Sequence, residues 1–139
     1  MTITSSNHNP GVVKRFATGS FKDTGTVKKS ILNLGWKPRY FKLFDVSATE
    51  LAFEVTDGMT ATHGFKHAAG DITLQTTGMP SLIENYDSGT VDTWTVYETQ
   101  NSTDTDNSRL NKASELFSGV SIPAALIAQN TQAHWVAIG

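Results

Sequence analysis

The chain contains no cysteine, so disulfides, thiolate nucleophiles and cysteine-ligated zinc or iron–sulfur centres are excluded by inventory. Stability must come from packing or from partners. Charge is also scarce: 17% of the residues are Asp, Glu, Lys or Arg, below the roughly 25% of an ordinary globular chain. No run of apolar residues approaches the roughly 18 of a membrane span. The opening Met1-Thr2-Ile3-Thr4-Ser5-Ser6-Asn7-His8 has neither a basic segment nor an apolar one after it. These absences predict a soluble protein without a cleaved signal and without a membrane partner.

What the chain does have is Thr, Ser, Asn and Gly in quantity, a composition that suits strands and turns better than surface helices. At 139 residues, 38% of them hydrophobic, it can bury one modest core. The polar residues 1–10 end at the turn signal Asn9-Pro10-Gly11 and read as a flexible or partner-bound arm ahead of a single β domain over 11–139. Within that domain, short candidate strands bounded by Gly, Pro, Asn or Asp recur at 12–16, 26–34, 39–46, 50–56, 71–76, 93–99, 120–122 and 134–138. That spacing predicts an all-β fold, a β-sandwich or jelly-roll-like module.

Leu51, Phe53 and Val55 alternate with Glu50, Ala52 and Glu54, as in a half-buried strand. Residues 39–46 and 93–98 are bulky on both faces, which suits the middle of a sandwich or a subunit interface. Residues 101–108 contain nothing apolar and read as a solvated loop. After it, Leu110, Ala113 and Phe117 stand at helical spacing, with Ser108 as a possible cap and Gly119 as a stop. This predicts one short helix near 109–117. The apolar terminal Trp135-Val136-Ala137-Ile138 is costly to leave free, so it should pair into a sheet or an adjoining chain.

Charge is polarised along the chain. Eight of the eleven basic residues and only one acid, Asp23, precede Asp45, so the first 44 residues carry +7 and the rest −9. The basic residues are spread over several strands rather than clustered. Pairing with acidic strands or an acidic neighbouring subunit is therefore a simpler reading than nucleic-acid binding.

Motifs for chemistry are weak. His63 and His67 are four apart, but Gly64 between them and no Glu after His63 argue against a metal pair on a helix. Asp104, Asp106, Ser108 and Glu115 fall at calcium-loop spacings, yet Arg109 stands where such a loop needs glycine; a looser cation site on Asp104 and Asp106 is the most that survives. Asn101-Ser102-Thr103 is a glycosylation sequon without a secretory context. No nucleophile elbow and no phosphate loop occurs. Glu50 and Glu54 read as a solvated strand face. Trp36, Tyr40, Trp94, Tyr97 and Trp135 could stack on sugars if exposed together, although most stand in apolar strand contexts. The sequence thus predicts no enzyme, no cofactor and no catalytic, cofactor-binding or metal residue.

The segment Asn33-Leu34-Gly35-Trp36-Lys37-Pro38-Arg39-Tyr40-Phe41-Lys42-Leu43-Phe44-Asp45 resembles a phrase of small virion structural proteins of tailed bacteriophages. In that phrase a strand ends in Leu-Gly, an aromatic and a Pro-Arg turn follow, and an aromatic-rich strand runs into Asn or Asp. Glu54-Val55-Thr56-Asp57-Gly58-Met59, Gly78-Met79 and the closing Trp135-Val136-Ala137-Ile138-Gly139 are similar to the same group. The likeness covers about two thirds of the chain, and residues 80–118 depart from it in the manner of an insertion carrying particle-specific contacts.

The resemblance implies a head-decoration (cement) protein of the virion that binds the major capsid protein and copies of itself, as a homo-trimer. A tail, baseplate or fibre component and a carbohydrate-binding β module are the alternatives. Taken physically, Gly35 lets the backbone swing, Pro38 starts a strand and Trp36 tucks inward. On that reading 26–34 and 39–46 form a hairpin of core scaffold.

Overall fold

The structure, a computed structural model, describes residues 15–22, 29–45, 51–89, 94–98, 108–110, 115–126 and 132–139. They form eleven strands: β1 (Phe16–Lys22), β2 (Lys29–Asn33), β3 (Tyr40–Asp45), β4 (Ala52–Thr56), β5 (Gly64–Ala68), β6 (Asp71–Gln75), β7 (Ser81–Asp87), β8 (Trp94–Tyr97), β9 (Ser108–Leu110), β10 (Leu116–Ile122) and β11 (Gln132–Ile138). A 3₁₀ turn, Ala124–Leu126, follows β10. Six strands make one sheet in the order β1-β11-β3-β4-β5-β6, and five make the other in the order β7-β10-β2-β8-β9. Every pairing is antiparallel except β2 with β8. The expected all-β sandwich is what forms.

Alternation explains which face each strand buries. In β11, Ala133, Trp135 and Ala137 are fully buried, and their registered partners Phe41 and Leu43 on β3, with Ala17 and Phe21 on β1, point the same way. Phe53 and Val55 extend this face along β4. The five-stranded sheet answers with Leu32, Tyr97, Val120 and Ile122, and together they form the main core. Phe21 and Tyr97 meet across it with ring centroids 4.4 Å apart, and the Tyr97 hydroxyl donates to the Lys22 carbonyl at 3.2 Å. The expectation that the terminal strand pairs into a sheet therefore holds. It lies between β1 and β3.

The five-stranded sheet buries its other face too. Ile31, Ile83, Trp94, Val96 and Phe117 form a second apolar cluster there, with Ile31 and Val96 directly paired. This accounts for the bulk on both faces of β8. It also places residues 80–118 in the scaffold: β7, β8 and β9 and the start of β10 lie within them and build most of this sheet, rather than forming an appended insertion.

Two expectations about elements fail. The described residues of 109–117 are extended, not helical: Ser108–Leu110 is a strand paired with Thr95–Tyr97, and Leu116 and Phe117 begin β10, one exposed and the next buried; residues 111–114 lie outside the described residues. The Arg109 guanidinium explains the preference. It grips Glu98 at 2.6 Å and both carboxylate oxygens of Glu115 at 2.8 and 2.6 Å, and lies 5.5 Å over the Phe117 ring, contacts that an extended backbone allows.

The second failure concerns the segment around 33–45. β2 and β3 belong to different sheets and form no hairpin. The amides of Leu34 and Gly35 both donate to the Ser118 carbonyl, at 2.9 and 3.0 Å, and Gly35 takes a left-handed φ of 80°. The chain then crosses to the other sheet, where the Arg39 amide bonds the Ile138 carbonyl at 2.7 Å and a Lys37–Asp57 pair at 3.1 Å ties the corner to the end of β4. Trp36 is half-buried at the core's rim under Arg15. Of the expected strand 12–16, Phe16 opens β1 and Arg15 precedes it, while residues 12–14 are outside the described residues, as are the arm 1–10 and the loop 101–107.

Candidate interaction surface

The outer face of the six-stranded sheet collects the residues that the core leaves over. The registers set three rows across it. One runs Phe16, Ile138, Tyr40; a second runs Thr18, Val136, Lys42, Glu54, Phe65, Leu74; a third runs Ser20, His134, Phe44, Ala52, His67, Ile72. Of the seven large hydrophobic residues exposed among the described residues, five stand here: Phe16, Ile138, Phe65, Ile72 and Leu74. They lie on the two flanks of the face. Solvent-exposed apolar residues scattered singly carry no meaning, but Phe16 beside Ile138 on one flank and Phe65, Ile72 and Leu74 together on the other make this sheet face a candidate docking surface.

Between those flanks lies a polar centre. The Tyr40 hydroxyl donates to Glu54 Oε2 at 2.5 Å, and His67 Nε2 contacts Glu54 Oε1. Lys42 is the cross-strand partner of Glu54. The hydrogen bond from Tyr40 is the largest influence on Glu54 and holds its carboxyl below the usual range; burial opposes this, and His67 and Lys42 assist. Tyr40 is pushed up to about 12, first by burial and then by the bond to, and charge of, Glu54.

The stability consequences have opposite pH signs. Glu54's contribution is present above its ordinary value and is lost as pH falls through its depressed one. Tyr40's is complete below pH 10 and lost as pH rises through about 12. Replacing Glu54 by glutamine is expected to cost about 1 kcal/mol at neutral pH. Urea unfolding of both proteins across an acid series tests it: the difference should shrink as Glu54 protonates, and a difference constant with pH refutes the assignment.

The residues considered for chemistry are not gathered. His63 sits in the turn before β5, its Nδ1 3.2 Å from the Ala61 carbonyl, while His67 is on β5 against Glu54. No group of three potential metal ligands occurs among the described residues. Asp104 and Asp106 lie outside them, as does Glu50. Glu54 is not the solvated carboxylate expected, since Tyr40 and His67 claim both its oxygens. The five aromatics share no platform: Trp135, Tyr97 and Trp94 are buried, Trp36 is at the rim and Tyr40 is on the outer sheet face.

Two open clefts meet near Thr62 and Ser81, of about 170 and 240 Å³. The larger is lined in part by Tyr86 and Trp94, packed edge to face at 5.9 Å, with Trp94 buried. Among the described residues the outer sheet face is thus the strongest candidate for a binding surface. Comparison of the sequence with family models and curated proteins, and of the fold with solved structures, gave no match.

Proposed function

We propose that the chain is a virion structural protein of a tailed bacteriophage, a capsid decoration protein that docks on the major capsid protein through the outer face of its six-stranded sheet. On this reading it works as a homo-trimer and catalyses no reaction. The observation that carries the docking role is the set of five exposed apolar side chains on that one face. The virion assignment rests on the likeness of residues 33–45, 54–59, 78–79 and 135–139 to small virion proteins. Those residues serve here as the crossover between sheets, the core of β4 and the terminal strand, which is consistent with a scaffold that many surfaces could share.

Mass spectrometry of purified particles with copy-number determination is the test. Hundreds of copies per particle support shell decoration, a few to tens favour the tail, baseplate or fibre alternative, and absence from particles overturns the virion reading. Changing Phe65 to Asp should lower particle occupancy by an order of magnitude if the face docks, because the exposed ring is replaced by a charge that resists burial. Unchanged occupancy would remove the face from the assignment.

A further inference from the structure

β6 forms an edge of the six-stranded sheet among the described residues, and four of its five residues are exposed, Ile72 and Leu74 to 64% and 57%. Natural edge strands are usually protected by lysine, proline, a bulge or a covering segment. β6 has only Asp71 as a charge, no proline, and an unbroken register with β5.

The hairpin geometry fixes which of its backbone groups face outward. Ala68 pairs Asp71 across the two-residue turn Ala69-Gly70, whose φ values of 51° and 84° are those of a type I′ turn. The residues flanking such a turn exchange both hydrogen bonds, so Asp71, Thr73 and Gln75 bond β5 and the amides and carbonyls of Ile72 and Leu74 point away from the sheet.

We propose that β6 pairs antiparallel with β6 of a second copy of this chain, about a two-fold axis at Thr73. The five-residue pattern is self-complementary in that register alone. Ile72 faces Leu74 of the second copy as a hydrogen-bonded pair, using the outward backbone groups that β5 leaves unused. Both side chains lie on the outer face, so apolar meets apolar across the junction. Thr73 faces Thr73, a favourable cross-strand pair, and Asp71 faces Gln75 rather than another carboxylate. The two six-stranded sheets become one continuous sheet whose outer apolar surface crosses the seam. The contact is isologous, so it closes as a dimer and does not propagate. This inference does not depend on the virion reading, and a dimer closed in this way would take the place of the homo-trimer in it.

The absence of cysteine makes the test clean. In the proposed register Thr73 forms a non-hydrogen-bonded pair with its own copy, with Cα atoms about 4.5 Å apart, within the disulfide range. Thr73→Cys should form covalent dimer on mild oxidation, about ten-fold more than Ile72→Cys, whose partner across the axis is Leu74 and not itself. Adding Leu74→Pro to Thr73→Cys removes one outward amide and should return cross-linking to background, while circular dichroism shows the sheet retained. Equal cross-linking of Thr73→Cys and Ile72→Cys overturns the proposal, and so does cross-linking that survives Leu74→Pro in a folded protein. A trimer by sedimentation with no Thr73→Cys dimer also overturns the two-fold contact, and leaves the virion reading untouched.

Discussion

Replacing Gly119 by alanine is expected to cost about 4 kcal/mol, a large fraction of the roughly 5–15 kcal/mol that holds a domain folded. Gly119 lies within β10, between β7 and β2, at the irregularity that follows Phe117. Its φ is +151°, a conformation that a side chain rarely adopts. A Cβ built there would stand 2.0 Å from the Leu32 carbonyl oxygen and 3.0 Å from the Leu34 amide nitrogen, both backbone atoms of the neighbouring strand and its exit. Neither can swing aside as a side chain could. Moving them pulls on the Leu34 and Gly35 amides, whose bonds to the Ser118 carbonyl start the crossover between sheets. Gly58→Ala is the control, because nothing lies within 4 Å of its added methyl. Urea midpoints that drop equally for the two variants would refute the argument.

That glycine was legible in the sequence only as the stop of a helix, whereas it lies inside strand β10. Leu110, Ala113 and Phe117 imitate a helical face, and nothing local reveals that Arg109 will reach Glu98, a residue of another strand's end, and Glu115 together. By contrast, strands with clean alternation or two apolar faces were legible: β3, β4, β8 and β11 lie where the sequence places them, because burial on one or both faces writes directly into residue type, and β6 lies where expected although four of its five residues are exposed. β5 and β7 were missed. β5 reads Gly-Phe-Lys-His-Ala, too polar to suggest burial, and only Leu82 and Ile83 mark β7 as apolar before its exposed second half. Alternation also cannot say which sheet a strand joins. The presumed hairpin of β2 and β3 failed on that point, since period tells a residue's face but not its neighbour.

The candidate surface was illegible for the same reason. Glu54 finds Tyr40 fourteen residues back and His67 thirteen ahead, and only the register of three strands brings them together. Residues 39–46 are legible as a strand bulky on both faces, of which Tyr40 and Phe44 take the outer one. That this face continues through Phe65, Ile72 and Leu74 depends on β5, which polarity concealed.

Trp135→Ala is expected to cost about 3–5 kcal/mol, the range for emptying a large aromatic site in a core. Trp135 is fully buried at the middle of β11, registered between Gly19 and Leu43, with its ring stacked 6.4 Å from Phe41. Its indole Nε1 is buried without a hydrogen-bond partner among the described residues. An unsatisfied buried donor costs about 1–3 kcal/mol, so part of the packing that Trp135 contributes is spent on its own N–H. Phenylalanine discards that donor along with some volume, so Trp135→Phe should cost only about 1 kcal/mol, well under what its lost volume suggests. Chemical denaturation of both variants decides the matter. If phenylalanine is as damaging as alanine, the indole nitrogen is satisfied and the shape of the larger ring sets the cost. If phenylalanine is nearly neutral, apolar volume is what holds the terminal strand between β1 and β3, and the six-stranded sheet that carries the proposed docking face depends on that volume.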